Sequence, residues 1–262
     1  MAGTYVRRNM VSEPNAAKHI YEASLGFRIS NNSRIDAGIL PSHIGVESSY
    51  GAQQLNVTRS LLAENTPYYE CGLRWSGETK FGLNWAILLL NGWQRIALDD
   101  NRNWPAFGAQ IQHVKKNGHV LNYSNYLGTI GDRMTIYHNF FGQWQIAQDW
   151  KVETQLNYES VPLEKDFVGY SIAGGRAMGK KFAAALRLEQ MIDNRGLFFS
   201  TTLAPKNLNP GSTSVNIDYS PIEKLKSRIE VRRLWSANKK QFETVPITSA
   251  MWLITATASV SF

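Results

Sequence analysis

The chain has 262 residues, a formal net charge of +7 at pH 7, a sequence pI of about 9.4 and a mean hydropathy of −0.30. Its longest purely apolar run, Trp85–Leu90, is far shorter than the roughly 20 residues of a membrane-spanning helix, which excludes that class. The one cysteine, Cys71, excludes an internal disulfide and a metal site made of cysteines alone.

Low hydropathy leaves a membrane barrel open, because only every second residue of each strand then faces lipid. The positive balance fits nucleic acid, anionic lipid or an anionic solute, so the placement of the charges must decide between them. The first residues, "MAGTYVRRNMVSEP", carry two arginines without an apolar segment behind them, so we expect no signal peptide there.

Apolar and polar side chains alternate from Tyr21 onward. The alternation continues to Ile29, and after the turn "NNS" it resumes from Arg34 to Ile39, which predicts a β-hairpin. A second hairpin is predicted around the turn "SGET", between Tyr69 and Leu89. The same period predicts further strands at 105–114, 118–127, 133–146, 150–160, 167–178, 181–192, 213–220, 224–235 and 249–262.

The polar face of these strands mixes charge with Gly, Ser, Asn and Gln, which suits the wet interior of a wide barrel. Aromatic residues near strand ends suit the two membrane interfaces, although a soluble β-sandwich with core tryptophans is the alternative. The six tryptophans concerned are Trp75, Trp93, Trp144, Trp150, Trp235 and Trp252. We therefore predict an all-β fold, an antiparallel transmembrane β-barrel with about 12 to 14 strands and no domain boundary in residues 1–262.

One long connection, residues 41–67, separates the two hairpins. Loops of this length are usually functional or disordered, and Leu61 and Leu62 predict a short helix that ends near Asn65. The segment could fold inward as a constriction or lie above the barrel as an extracellular flap. Its candidate functional side chains are His43, Glu47, Arg59 and Glu64.

The stretch "GGRAMGKK", Gly174–Lys181, has the glycine and lysine spacing of a phosphate-binding loop. Lys181 stands where such a loop needs Ser or Thr, and Phe182–Leu188 alternates as a strand does, so we expect a basic hairpin turn instead. The five histidines show no metal-ligand spacing, and no nucleophile motif occurs. We expect neither an enzyme, nor a cofactor, nor a bound metal.

Basic side chains recur on the predicted inner faces of the strands. Such a lining favours anions, although a solvated strand face without selectivity is the plain alternative. Nucleic-acid binding is not favoured, because it would need these cations to be contiguous with exposed aromatic residues. The predicted pore-lining residues are Arg28, Arg74, Lys80, Arg187, Lys226, Arg228 and Arg232.

Three stretches, Ile35–Ser48, Thr58–Ser76 and Leu88–Ile96, resemble the β-barrel porin family described as OmpL-like, also called porin-2, of Gram-negative outer membranes. The resemblance extends to Phe262 and implies a barrel in the cell outer membrane through which small solutes diffuse passively. Members look longer, with a signal peptide and strands ahead of "GTYVRRN". We therefore expect an N-terminally truncated chain whose intact form has about 16 strands.

The predicted function is thus an outer-membrane porin with an anion preference; the alternative is a soluble basic β protein that binds an anionic partner. The expected partners are outer-membrane lipid, small solutes and a second copy of the chain. The last strand, "WLITATASVSF", ends in the aromatic Phe262, which resembles the signal read by the barrel assembly machinery.

Overall fold

The computed structural model describes residues 20–48, 51–98, 104–130, 133–160, 167–193, 209–236 and 250–261. Within these ranges the chain forms thirteen β-strands, which follow one another in a single sheet in the order of the sequence. They are β1 Ala23–Ser30, β2 Ser33–Pro41, β3 Tyr69–Glu78, β4 Leu83–Leu90, β5 Ala106–Val114, β6 Val120–Ile130, β7 Arg133–Ala147, β8 Trp150–Ser160, β9 Phe167–Met178, β10 Phe182–Asp193, β11 Pro210–Ile222, β12 Leu225–Ser236 and β13 Ala250–Val260.

The antiparallel all-β fold and the strand count predicted from the period of two are confirmed. The predicted turns lie where the structure has them, because glycines there allow the chain to reverse between paired strands. Gly118 and Gly179 adopt φ values of 83° and 71° in two of these turns. The predicted bounds missed the start of β11, which begins three residues earlier than expected. Pro210 begins that strand, where its missing N–H removes no hydrogen bond from the interior of the ladder.

The connection between β2 and β3 contains a 3₁₀ turn at Gly51–Gln53 and one short helix, α1, at Leu61–Glu64. The helix confirms the one expected to end near Asn65. No helix in the described ranges is long and apolar enough to cross a membrane.

The chain divides into two compact units. The first comprises Met1–Gly45, Glu64–Phe141 and Asn157–Glu164, and it holds β1 to β6. The second comprises Val46–Ala63, Gly142–Leu156 and Lys165–Phe262, and it holds β9 to β13. The long β2–β3 connection therefore contributes to both units.

The two faces of the sheet have opposite burial, as the second unit shows. Leu188 and Ile217 are 45% and 54% exposed, although both are large and apolar. Their strand neighbours Arg187 and Asn216 are 2% and 1% exposed, although both are strongly polar. We call these two surfaces the apolar face and the polar face. This arrangement is the reverse of a soluble sandwich, whose polar face meets water, and it suits strands with lipid on the apolar side.

Aromatic rings populate the apolar face towards the strand ends. Trp75 and Trp85 make an edge contact with ring centroids 5.1 Å apart, and Trp252 is 67% exposed. Trp93 departs from the predicted interface role, because it is buried between Tyr126 and Tyr137 at centroid distances of 5.0 and 4.9 Å. It is a packing residue of the first unit.

Charge on the apolar face should destabilise the protein according to depth in the lipid. Leu188→Lys, in the middle of β10, is expected to lower the free energy of unfolding by about 2–4 kcal/mol. Met178→Lys, beside the β9–β10 turn, should lower it by about 1 kcal/mol or less, because the ammonium reaches the interface there. Denaturant titration in phospholipid vesicles measures both, and equal losses would argue against a lipid-facing surface.

Candidate functional site

The β2–β3 connection contacts the polar face in both units. In the second unit it contributes Val46–Ala63, which we call the inner segment. This segment is hydrogen-bonded to side chains of β10 and β12. Strand alternation directs Arg187 from β10 and both Arg228 and Arg232 from β12 towards it. These three side chains are called the latch arginines below.

Arg228 binds the backbone around the 3₁₀ turn. Its Nη1 donates to the carbonyl of Gly51 at 2.6 Å, and its Nη2 donates to the carbonyls of Gln54 and Leu55 at 2.8 and 2.9 Å. Its Nε donates to Asp218 on the neighbouring strand at 2.8 Å. One guanidinium thus ties three carbonyls of the inner segment to the sheet.

Thr58 is the second point of attachment. Arg187 Nη1 donates to its carbonyl at 2.6 Å, and Arg232 Nη1 donates to the next carbonyl, that of Arg59, at 3.0 Å. Glu230 completes the set, since its carboxylate accepts the Thr58 N–H at 2.6 Å and the Thr58 hydroxyl at 2.7 Å.

Carboxylates accompany every latch arginine. Glu189 accepts from Arg232 Nη2 at 2.6 Å and lies 3.4 Å from Arg187 Nε, while its other oxygen accepts the Leu61 N–H at 2.5 Å. Glu230 lies 3.5 Å from Arg187. With Asp218 beside Arg228, the described strands β10 to β12 match the positive charge of the latch arginines in full.

Glu47 belongs to the same cluster. Its carboxylate accepts the Ser60 N–H at 2.8 Å and lies 3.8 Å from Arg187 Nη1. Burial raises the pKa of Glu47, while Arg187 and the Ser60 N–H oppose that rise. The contact holds the beginning of the inner segment against its end.

In the first unit, His43 anchors the connection where it leaves β2. Its Nδ1 lies 2.6 Å from Glu70 on β3, and its Nε2 lies 2.8 Å from the carbonyl of Asn125 on β6. Burial alone would lower the pKa of His43, but the Glu70 carboxylate and the Asn125 carbonyl raise it overall. Both ring nitrogens face acceptors, so the imidazolium is the form that satisfies the site.

The other predicted loop residues make local contacts. Arg59 Nη2 donates to the carbonyl of Ala63 at 3.0 Å, and Glu64 accepts from the hydroxyl of Tyr68 at 2.8 Å. Among the predicted pore-lining cations, Lys226 donates to the carbonyl of Ala52 at 3.1 Å. Lys80 does not lie on a strand as predicted, because β3 ends at Glu78 and β4 starts at Leu83.

Arg28 and Arg74 lie in the first unit, near the short turns of the sheet. They line a cavity of about 450 Å³ together with Arg34, which the sequence-based prediction omitted. Arg34 and Arg74 both donate to the buried carboxylate of Asp36, the latter at 3.0 Å. The structure therefore places Arg28 and Arg74 in a cluster of the first unit, whereas Lys226 and the latch arginines belong to the second unit.

The phosphate-loop-like stretch is a hairpin. Gly174 pairs with Leu186 across β9 and β10, and Lys180 and Lys181 lie in the turn, as expected. Among the described residues, no group of three or more His, Cys, Asp or Glu side chains is placed to hold a metal ion.

The predicted site residues did not include the carboxylates that pair with these basic side chains. Glu189 and Glu230 alternate with the latch arginines along the same strands, so they occupy the same face by the rule that predicted the arginines. That pattern was the available signal, and it would have indicated charge matching. The missed residues are Asp36, Glu70, Glu189, Asp218 and Glu230.

Comparisons with known proteins place this fold among membrane channels. The family model described as "Putative beta-barrel porin-2, OmpL-like" matches residues 1–262. No curated protein matches the sequence.

Three solved structures are similar to the chain. The outer membrane channel DcaP of Acinetobacter baumannii has 12% identity and a TM-score of 0.62, with 87% of this chain and 72% of that chain covered. The anion-selective porin from Comamonas acidovorans has 9% identity and a TM-score of 0.54, with 91% and 73% covered. The trimer form of OmpT, an outer membrane protein of Vibrio cholerae, has 9% identity and a TM-score of 0.53, with 92% and 78% covered. Identities this low establish a common fold and nothing about ligands.

The His43–Glu70 contact predicts a loss of stability at alkaline pH. A raised pKa in the folded state means that the contribution is fully present below the ordinary value of 6.5 and is lost as pH rises through the folded value. We expect the free energy of unfolding to fall over that window in the native protein and to fall less in Glu70→Gln. His119→Gln, in the β5–β6 turn, is the control. Identical pH profiles for the native and Glu70→Gln proteins would contradict the assignment.

Proposed function

The chain belongs to the OmpL-like β-barrel porin family and is an outer-membrane porin, and on that premise we propose that the inner segment forms the constriction of a passive diffusion channel. The observation that carries the proposal is the attachment of Val46–Ala63 to the polar face by the latch arginines. A segment that contacts the wet face of strands whose other face meets lipid occupies space that solutes would otherwise cross. The extracellular-flap interpretation is disfavoured, because a flap would not need buried anchors on two strands of the sheet.

The latch arginines hold the segment; they do not select the solute. Each is buried, and its charge is matched by Glu189, Glu230 or Asp218. A buried guanidinium whose charge is matched by a nearby carboxylate contributes little field to a passing ion, whereas its hydrogen bonds fix the backbone. We therefore assign Arg187, Arg228 and Arg232 to the width of the pore, in place of the charge preference predicted from sequence.

The family and the fold point to a channel and not to an enzyme. The soluble alternative would leave the apolar face in water, which a protein of this size avoids. We further propose that lipid covers most of that face and that copies of the chain associate there, as the trimer form of Vibrio cholerae OmpT suggests. Recognition by the assembly machinery stays a prediction, since Phe262 lies outside the described residues.

Planar-bilayer recording of the purified protein tests the channel itself. We expect stepwise insertion of ohmic channels and a conductance that rises in proportion to salt, because a passive pore has no saturable turnover. A preparation that is folded by circular dichroism and yet gives no conductance would overturn the proposal.

Arg228→Lys and Arg228→Gln together separate the two roles of that arginine. Lysine keeps the charge, but it cannot reproduce the fork that binds Gly51, Gln54 and Leu55. We expect both variants to raise open-channel noise and mean conductance to a similar extent, with little change in reversal potential. The assignment would be wrong if the Arg228→Lys channel behaved like the native one while the Arg228→Gln channel changed only in ion selectivity. Arg228 would then act on the solute through its charge.

A further inference from the structure

The cavity in the first unit is lined by three cations that nearby carboxylates neutralise only in part. It has a volume of about 450 Å³ and receives one arginine from each of the first three strands: Arg28, Arg34 and Arg74. Amide and hydroxyl groups also line it, among them Ser76, Asn84 and Gln110, and so does one carboxylate, Glu78. The surroundings can therefore donate many hydrogen bonds to a small anionic guest.

Strand register brings two of the positive charges together. Arg28 is the direct cross-strand partner of Arg34, and the two side chains project to the same face. Like charges opposed across an antiparallel pair are destabilising, so this pair is unfavourable unless a negative group lies between them. Within the described ranges, no carboxylate forms an ion pair with Arg28.

A buried carboxylate orients the other two guanidinium groups. Asp36, 1% exposed, accepts from Arg34 Nη2 and from Arg74 Nη2, and the absence of a side chain at Gly26 leaves the space in which the Arg34 guanidinium lies. The Nε of Arg74 is buried and has no hydrogen-bond partner among the described residues. A buried donor without a partner beside a cavity is an unused binding group.

From this arrangement we infer that the cavity is a subsite for small oxyanions, carboxylate or phosphate. The oxyanion is bound between Arg28 and Arg34, with Arg74 on the adjoining strand β3 as the third arginine of the site. The fork of a guanidinium matches two oxygens of such a group, and two forks facing one another can hold a single oxyanion from both sides. The inference rests on the proposed channel, since it gives that channel its preferred class of solute. It also locates the anion preference at the turn end of β1 to β3 and away from the charge-matched latch arginines.

Block of the chloride current tests the subsite in the working channel. Inorganic phosphate and acetate, added in separate arms at constant ionic strength, should each reduce the chloride conductance in a saturable way. Arg28→Gln and Arg34→Gln should weaken the apparent affinity about tenfold, as loss of a charge-assisted hydrogen bond predicts. A response to both anions assigns the general oxyanion class, and a response to one alone assigns that anion.

Two further variants separate oxyanion geometry from simple charge. Arg28→Lys keeps the charge without the fork, and Gly26→Ala displaces the Arg34 guanidinium without changing any charge. Both should weaken phosphate block while leaving the reversal potential in chloride close to native. Arg176→Gln is the matched control, because Arg176 is a turn-end arginine that is already paired with Asp149 at 2.9 Å.

Phosphate titration of the detergent-solubilised protein by calorimetry keeps this test independent of conductance. Binding to the native protein that is weakened about tenfold in Arg34→Gln supports the subsite even if no channel is recorded, in which case only the proposed function fails. A conducting channel without phosphate or acetate block and without calorimetric binding overturns the subsite alone. An effect of Arg176→Gln as large as that of Arg28→Gln would also overturn it, because general surface charge would then explain both.

Discussion

A buried guanidinium needs hydrogen-bond acceptors for its N–H groups and a nearby negative charge. The arrangement of the inner segment against β10 and β12 in the second unit depends on that requirement. Arg187, Arg228 and Arg232 lie on a face that the inner segment covers. Removing one partner from such a network leaves a buried charge unmatched, which is far more costly than the pair is favourable. The segment, the three strands and their carboxylates therefore form one interdependent unit.

Two kinds of basic side chain result from this requirement. Those in the second unit donate to backbone carbonyls and carboxylates, and their charges are neutralised within the protein. Those around the first-unit cavity have Asp36 and Glu78 for three guanidinium groups, so a positive excess remains facing the cavity. Formal net charge does not distinguish the two kinds, because it counts the paired and the unmatched cation alike.

Strand positions were predictable because alternation is a local property. The period of two identifies which face Arg187 or Arg228 occupies without any knowledge of the neighbours, and a glycine such as Gly179 marks where the chain reverses. The partners of those side chains were not predictable. Thr58 and Gly51 are far from β12 in the sequence, and periodicity carries no information on which distant backbone atoms a strand will meet.

Local pattern also failed where a residue sits at a boundary. Lys80 alternates correctly with Phe81 and Leu83, yet it lies in the turn between β3 and β4. Because it is not on a strand, the alternation does not assign its side chain to either face of the sheet. Trp93 lies near a strand end, as an interface residue would, but packing against Tyr126 and Tyr137 directs it to the interior. In both cases the side chain's environment depends on contacts that the alternation does not encode.

The contact between Thr58 and Glu230 joins residues 172 positions apart in the sequence. Closing so long a loop is unfavourable until other contacts hold its ends, so the inner segment can dock only after β10, β11 and β12 have paired. Each strand between them pairs with its neighbour in the sequence, so these strands can form by neighbour-to-neighbour pairing. We therefore expect the sheet to assemble first and the inner segment to reach its place last.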